Sequence, residues 1–272
     1  MAQHNLEFAG SVPEDYDRHL GPVLFEPYAA DLARRVGPAV HHGTVVELAC
    51  GSGILTKQLR EALPQQVSLV ATDVSAAMVR YAQAAIRLEG IDWRTVDAMA
   101  LPFEAGFAAA IVCQFGLMFV PDKPRSVREM QRVLTADGRI WVSVWDSLGA
   151  NPLAAVANAA LAKAVGTSPP VPFFNTFHGL SDTDALLQLF EENGFTDVHI
   201  ELVSLDAISE SAESIARGYV FGTPLNSILA ERGDDHASIV AAMTEALRDE
   251  GGDRPFRSRS RAWLLNARRD TD

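Results

Sequence analysis

The chain has 272 residues, 48% hydrophobic and 21% charged, a composition that suits one large globular domain or a domain with a lid. Its formal charge of −12 argues against nucleic acid as a partner, because neutralising phosphates needs a basic face. No stretch reaches the roughly 18 consecutive apolar residues that span a bilayer, and the polar start, Met1 to Asp17, lacks the features of a signal peptide.

Residues 1–42 read as an N-terminal flap. Pro27 to Val40 has helical apolar spacing at Tyr28, Leu32 and Val36. Ahead of it, Tyr16, Arg18, His19 and Phe25 gather aromatic and polar groups that either anchor a helix on a sheet or cover a ligand. From Thr44 short apolar runs alternate with amphipathic stretches, the pattern of a βαβ sheet. Strand one is Thr44–Ala49, and a helix over Ile54–Leu63 is stopped by Pro64. Strand two, Val67–Thr72, ends at Asp73, and Ser75 caps a helix to Leu88 that Gly90 closes. Strand three, Ile91–Val96, ends at Asp97. After a loop, Ala98–Gly106, comes strand four, Phe107–Gln114, apolar on both faces as a central parallel strand should be. A helix follows from Pro124 to Leu134, and Asp137-Gly138 turns into strand five, Arg139–Trp145.

Residues 43–146 thus form a core, and the pattern then changes. An insert over 147–180 holds a helix, Pro152–Val165, then Pro169, Pro170 and Pro172, which cannot be sheet interior. Ser181 or Asp182 caps a helix to Glu192, and Val198–Leu205 is strand six. A second helical insert covers 206–253, punctuated by Gly218, Gly222, Pro224 and Gly233. Residues 181–205 and 254–272 supply the rest of the sheet, Ser258–Ala267 alternating like a last strand. That last segment carries most of an Arg-rich run, but its interleaved strand-like residues speak against a basic patch. The two cysteines, Cys50 and Cys113, lie near the ends of buried strands, which suits a reducing cytoplasm, and no Cys/His spacing resembles a metal site.

The chemistry concentrates at Gly51-Ser52-Gly53, a glycine turn between strand one and its helix. Such a turn lets backbone approach a ligand and aims helix N–H groups at it. The turn matches two of the three glycines of a dinucleotide fingerprint, with Asp73 at a suitable distance. Glu47, four positions before Gly51, points elsewhere: a carboxylate there suits a ligand ammonium and has no evident partner in a pyrophosphate. Asp73 suits a ribose diol. Asp97, beside the Ala98 N–H, suits the amine and ring nitrogen of adenine, with Met99 or Leu101 against the ring.

Four motifs in order carry a family resemblance: Glu47-Leu48-Ala49-Cys50-Gly51-Ser52-Gly53, Ala71-Thr72-Asp73-Val74-Ser75 with Met78, Asp97-Ala98-Met99-Ala100-Leu101-Pro102-Phe103, and Gln114-Phe115-Gly116-Leu117-Met118-Phe119. With Arg132-Val133-Leu134 and Asp137-Gly138-Arg139, they make Val45 to Asp146 resemble a class I S-adenosylmethionine-dependent methyltransferase, in the small-molecule branch of the quinone-biosynthesis methylases. The resemblance implies an α/β, doubly wound, mostly parallel seven-stranded sheet with its last strand antiparallel. It implies S-adenosylmethionine as cofactor, held by Glu47, Ala49, Gly51, Gly53, Asp73, Val74, Met78, Asp97, Ala98, Met99, Gln114 and Phe115, with Tyr16 joining from the flap. Ala49 departs from a common glycine and narrows the room beside the cofactor.

The expected reaction is in-line methyl transfer to a small hydrophobic or aromatic acceptor. His19 and His178 are candidate bases, and Phe25, Tyr28, Phe119, Trp145 and Phe177 are candidate substrate contacts. The competing readings are a nicotinamide-dependent oxidoreductase and a non-catalytic domain that binds S-adenosylmethionine. A cytoplasmic monomer or homodimer is expected.

Overall fold

The computed structural model describes residues 12–166, 171 and 173–270; Pro169, Pro170, Pro172 and the first eleven residues of the polar start lie outside them. In chain order the elements are α1 (Val12–Asp15), a π-helical segment Tyr16–Phe25, α2 (Glu26–Val36), β1 (Thr44–Leu48), α3 (Ile54–Ala62), β2 (Ser68–Asp73), α4 (Ala76–Ala85) and β3 (Ile91–Thr95). There follow β4 (Ala108–Gln114), α5 (Lys123–Val133), β5 (Leu134–Trp145), α6 (Pro152–Val165), α7 (Phe173–Phe177), α8 (Thr183–Glu191) and β6 (Phe195–Ser209). The chain ends with α9 (Ala212–Phe221), α10 (Leu225–Arg232), α11 (His236–Gly251) and β7 (Phe256–Arg269).

Two compact units result. One holds Tyr28–Ser147, Thr176–Ser204 and the chain from Arg261; the other holds the chain up to Pro27, Leu148–Asn175 and Leu205–Ser260. The expected inserts therefore fall almost entirely in the second unit, whereas the flap divides after Pro27.

The sheet has the order β3-β2-β1-β4-β5-β7-β6. β1 to β5 pair in parallel and β7 enters antiparallel between β5 and β6. β1 and β4 are buried along almost their whole length because helices cover both faces. The strand order reverses between β1 and β4, where an open α/β sheet offers a ligand crevice beyond its carboxyl ends.

Three local expectations are corrected. β5 begins at Leu134, not Arg139: Leu134 pairs with Ala108 and Arg139 with Ala110, so Asp137-Gly138 lies in a bulge rather than a free turn. α4 stops at Ala85, with Ile86 extended, because Ile86 packs back over Gly53. Gly218 lies inside α9 and Gly222 caps it; neither is simple punctuation. A Cβ on Gly218 would stand 2.7 Å from Leu20 and one on Gly222 would stand 2.6 Å from the Tyr16 nitrogen, so these glycines let α9 meet the π-helical segment.

Candidate cofactor and active site

β1 delivers Glu47 to the crevice and then breaks sharply. Ala49 has φ 56°, Gly51 54° and Gly53 86°, three left-handed residues in five. Gly53 caps α3, and a Cβ there would meet Ile86 at 2.3 Å. Gly51 is different: no described residue comes within 4 Å of its Cβ position, so its bare backbone faces open space. The Ala49 methyl packs where a Gly116 Cβ would sit, 2.4 Å from that point. It therefore fills a notch against β4's exit, which accounts for alanine at a common glycine position.

Glu47 is 1% exposed. Its Oε2 meets no hydrogen-bond geometry among the described residues; the Thr56 hydroxyl lies near enough to favour the ionised form without completing a bond. Burial pushes the carboxyl up to about 8, partly opposed by Thr56 and reinforced by Asp73. A buried, unpartnered acid of this kind is costly unless a ligand uses it.

Asp73 closes β2 and organises the turn. Its Oδ2 accepts the Gly51 N–H at 2.9 Å and its Oδ1 the Ser75 N–H at 2.8 Å. Burial raises its pKa while these backbone donors lower it. The Val74 N–H also favours the ionised form, so of a carboxylate's roughly four acceptor sites about one remains for a ligand hydroxyl. Ser75 caps α4 by accepting from the Met78 N–H; Met78 is buried, whereas Val74 beside Asp73 is 72% exposed. Asp97 forms an Asx turn, its Oδ1 accepting the Met99 N–H at 2.8 Å, while Ala98 and Met99 are half-buried.

The ends of β4 and β5 carry an aromatic cluster. Phe115, left-handed at φ 55°, follows Gln114 and stacks on Trp145 with centroids 3.8 Å apart. Tyr28 meets both edge-on at 5.3 Å, and its hydroxyl donates to the Val203 carbonyl. Phe119 and Phe177 form a separate edge-to-face pair at 4.7 Å. His178 adjoins Trp145 at 6.3 Å and is 8% exposed. Its Nδ1 lies 2.7 Å from the Asp146 carbonyl, which can only accept, so Nδ1 carries the proton. Nε2 is then the basic nitrogen, and it makes no hydrogen bond among the described residues. Burial holds the His178 pKa below its usual value, so the ring is neutral near pH 7.

His19, Tyr16 and Phe25 belong to the other unit. His19 Nδ1 pairs with the Ser214 hydroxyl at 2.9 Å, and burial lowers its pKa. Tyr16 stacks on Phe25 with centroids 4.6 Å apart. The sheet unit thus brings together Glu47, Gly51, Gly53, Asp73, Val74 and Met78 around the turn, with Asp97 to Met99 at the β3 exit and Phe115, Trp145 and His178 at those of β4 and β5. Reading the sequence missed Thr56, and it missed Arg125 and Glu129 of α5, whose spacing to Arg132 was the available signal.

Residues 45–138 match the family model of a methyltransferase domain. The chain is 29% identical over 140 residues to a demethylmenaquinone methyltransferase of Lactococcus lactis, covering 49% of this chain and 55% of that protein. It is 36% identical over 97 residues to a 2-phytyl-1,4-naphtoquinone methyltransferase of Thermosynechococcus vestitus, 35% of this chain and 43% of that one. The chain thus spans about half the length of these curated relatives. A structure of Haemonchus contortus phosphoethanolamine N-methyltransferase 2 in complex with S-adenosyl-L-methionine superposes with a TM-score of 0.61 at 13% identity, covering 95% of this chain and 57% of that one. The sheet and the match over residues 45–138 support a class I S-adenosylmethionine-dependent methyltransferase domain. Within that class it resembles the quinone-biosynthesis methyltransferases. S-adenosylmethionine is the cofactor of the class, and the residues fit it: a buried carboxyl with an unpartnered oxygen, an open glycine and a strand-end carboxylate with acceptor capacity left.

Proposed function

We propose that the protein transfers the methyl group of S-adenosylmethionine to a small, planar, apolar acceptor. The observation that carries this reading is Glu47, a sealed carboxyl with an unpartnered oxygen behind an open glycine turn. Glu47 would answer the cofactor ammonium, Asp73 the ribose hydroxyls, and Asp97 with the Ala98 N–H the adenine edge. When bound, the cofactor supplies a sulfonium-activated methyl group for in-line displacement. The protein's share is to orient an acceptor lone pair and exclude water, which can supply on the order of 7–11 kcal/mol. One relative is named for a demethylmenaquinone and another for a 2-phytyl-1,4-naphtoquinone, and the Phe115–Trp145 stack supports a flat acceptor here.

His178 takes the acceptor's proton at Nε2 while Asp146 holds the other nitrogen. His178→Ala is expected to lower turnover by about 10²-fold or more while leaving cofactor affinity unchanged. An equal loss of cofactor binding would assign His178 to packing instead. The broader reading is tested by calorimetry with S-adenosylmethionine and NADH. Binding of NADH alone would favour an oxidoreductase; cofactor binding without transfer to any quinol-type acceptor would favour a non-catalytic domain.

A further inference from the structure

The loop after β3 is tied down from outside by one face of α5. Arg125, Glu129 and Arg132 stand at i, i+4 and i+7 and therefore share a helix face. Arg125 Nε donates to the Met99 carbonyl at 2.9 Å. Glu129 Oε2 accepts the Leu101 N–H at 2.9 Å. Arg132 donates to the Leu101 carbonyl at 3.0 Å and the Phe103 carbonyl at 2.7 Å. Glu129 and Arg132 also pair with each other through two bonds of 2.8 and 2.7 Å, which orients both. Four main-chain groups between Met99 and Phe103 are thereby held by three charged side chains.

On the near side of the same loop, Asp97 holds only its own turn, through the Met99 and Ala100 N–H groups. Among the described residues the turn is joined to β2 by the Val96 N–H bond to the Asp73 carbonyl. The α5 bonds supply a further constraint. We infer that Arg125, Glu129 and Arg132 are positioning residues that hold the 97–103 loop in the conformation that receives the adenine end of the cofactor. This role rests on the proposed cofactor site. Its physical basis is pre-organisation: if the binding-competent loop is only a fraction of the population, apparent affinity falls by that fraction.

The test compares the unsubstituted 272-residue chain with its Arg132→Lys and Glu129→Gln variants. Lysine cannot serve two carbonyls as a planar fork does, and glutamine removes the charge at constant size. S-adenosylhomocysteine and 5′-methylthioadenosine, which lacks the amino-acid end, are titrated into each. Both variants should lose about tenfold in affinity for both ligands, the scale of one charge-assisted hydrogen bond, with turnover at saturating cofactor unchanged. Amide exchange at Met99 and Leu101 should quicken in the ligand-free variants and slow again on binding. Unchanged affinities, or a lowered melting temperature with unchanged affinities, would overturn the positioning role and leave the cofactor site standing. Failure of the unsubstituted protein to bind either ligand would overturn both.

Discussion

A carboxyl group that is 1% exposed can be tolerated in two ways: it keeps a proton, or it meets a cation. Glu47 does the first in the ligand-free protein, because burial lifts it from 4.5 to about 8. Its folded pKa lies above the unfolded one, so its stabilising contribution is whole below about pH 4.5 and is lost as pH climbs through about 8. The melting temperature of the free protein should therefore fall between about pH 4.5 and about pH 8 and level off above that. Glu47→Gln should flatten that fall and weaken S-adenosylhomocysteine binding. A steep fall that persists in the variant would assign the titration to another group. Gly116 offers a second residue-scale check. A methyl there would stand 2.4 Å from the Ala49 Cβ and 2.9 Å from the Cys113 sulfur. Gly116→Ala should cost on the order of 1–3 kcal/mol in denaturant unfolding, and adding Ala49→Gly should recover much of it.

At the scale of elements, what could be read from the sequence was whatever ended a strand. That Glu47, Asp73 and Asp97 stand at or just past the carboxyl ends of β1, β2 and β3 was legible because strand ends follow from local pattern, as did the Ser75 cap. The aromatics were not: whether Tyr28, Phe115 and Trp145 stack on one another depends on the β4–β5 register. Tertiary approach also decided Gly218 and Gly222. Both look like breakers in a sequence, yet they are the close-packing face of α9. Gly222→Ala places a methyl 2.6 Å from the main-chain nitrogen of Tyr16, which cannot rotate away. Amide exchange over residues 12–25 should accelerate in that variant, with the sheet amides unaffected. Equal acceleration in the sheet would show that the helical unit has no separate stability.

For the whole molecule, stability and solubility pull in opposite directions with pH. The sequence pI is about 5.0, so net charge and colloidal repulsion vanish where the protonated Glu47 is most easily accommodated. Light scattering should show a solubility minimum near pH 5, while the Glu47 contribution to melting is still present. A minimum displaced well above that pH would point to an exposed patch driving association instead. Among the described residues no helix is long and apolar enough to cross a membrane, and no cluster of His, Cys, Asp and Glu could hold a metal ion. The thiols add no reactivity at neutral pH: burial pushes Cys113 up to about 12 and raises Cys50 as well.

The neighbour of His178 gives the protein an optical gauge of its own. Trp145 lies with its ring centroid 6.3 Å from that imidazole and is one of only four tryptophans in the chain. An imidazolium quenches indole emission by accepting excited-state charge, whereas a neutral imidazole quenches far less. The emission lost in Trp145→Phe, followed against pH, should therefore dim as His178 takes up its second proton, with a midpoint below 6.5 because burial lowers that pKa. An acceptor that settles against the ring would shift this midpoint before any methyl group moves, so candidate molecules can be ranked by fluorescence alone.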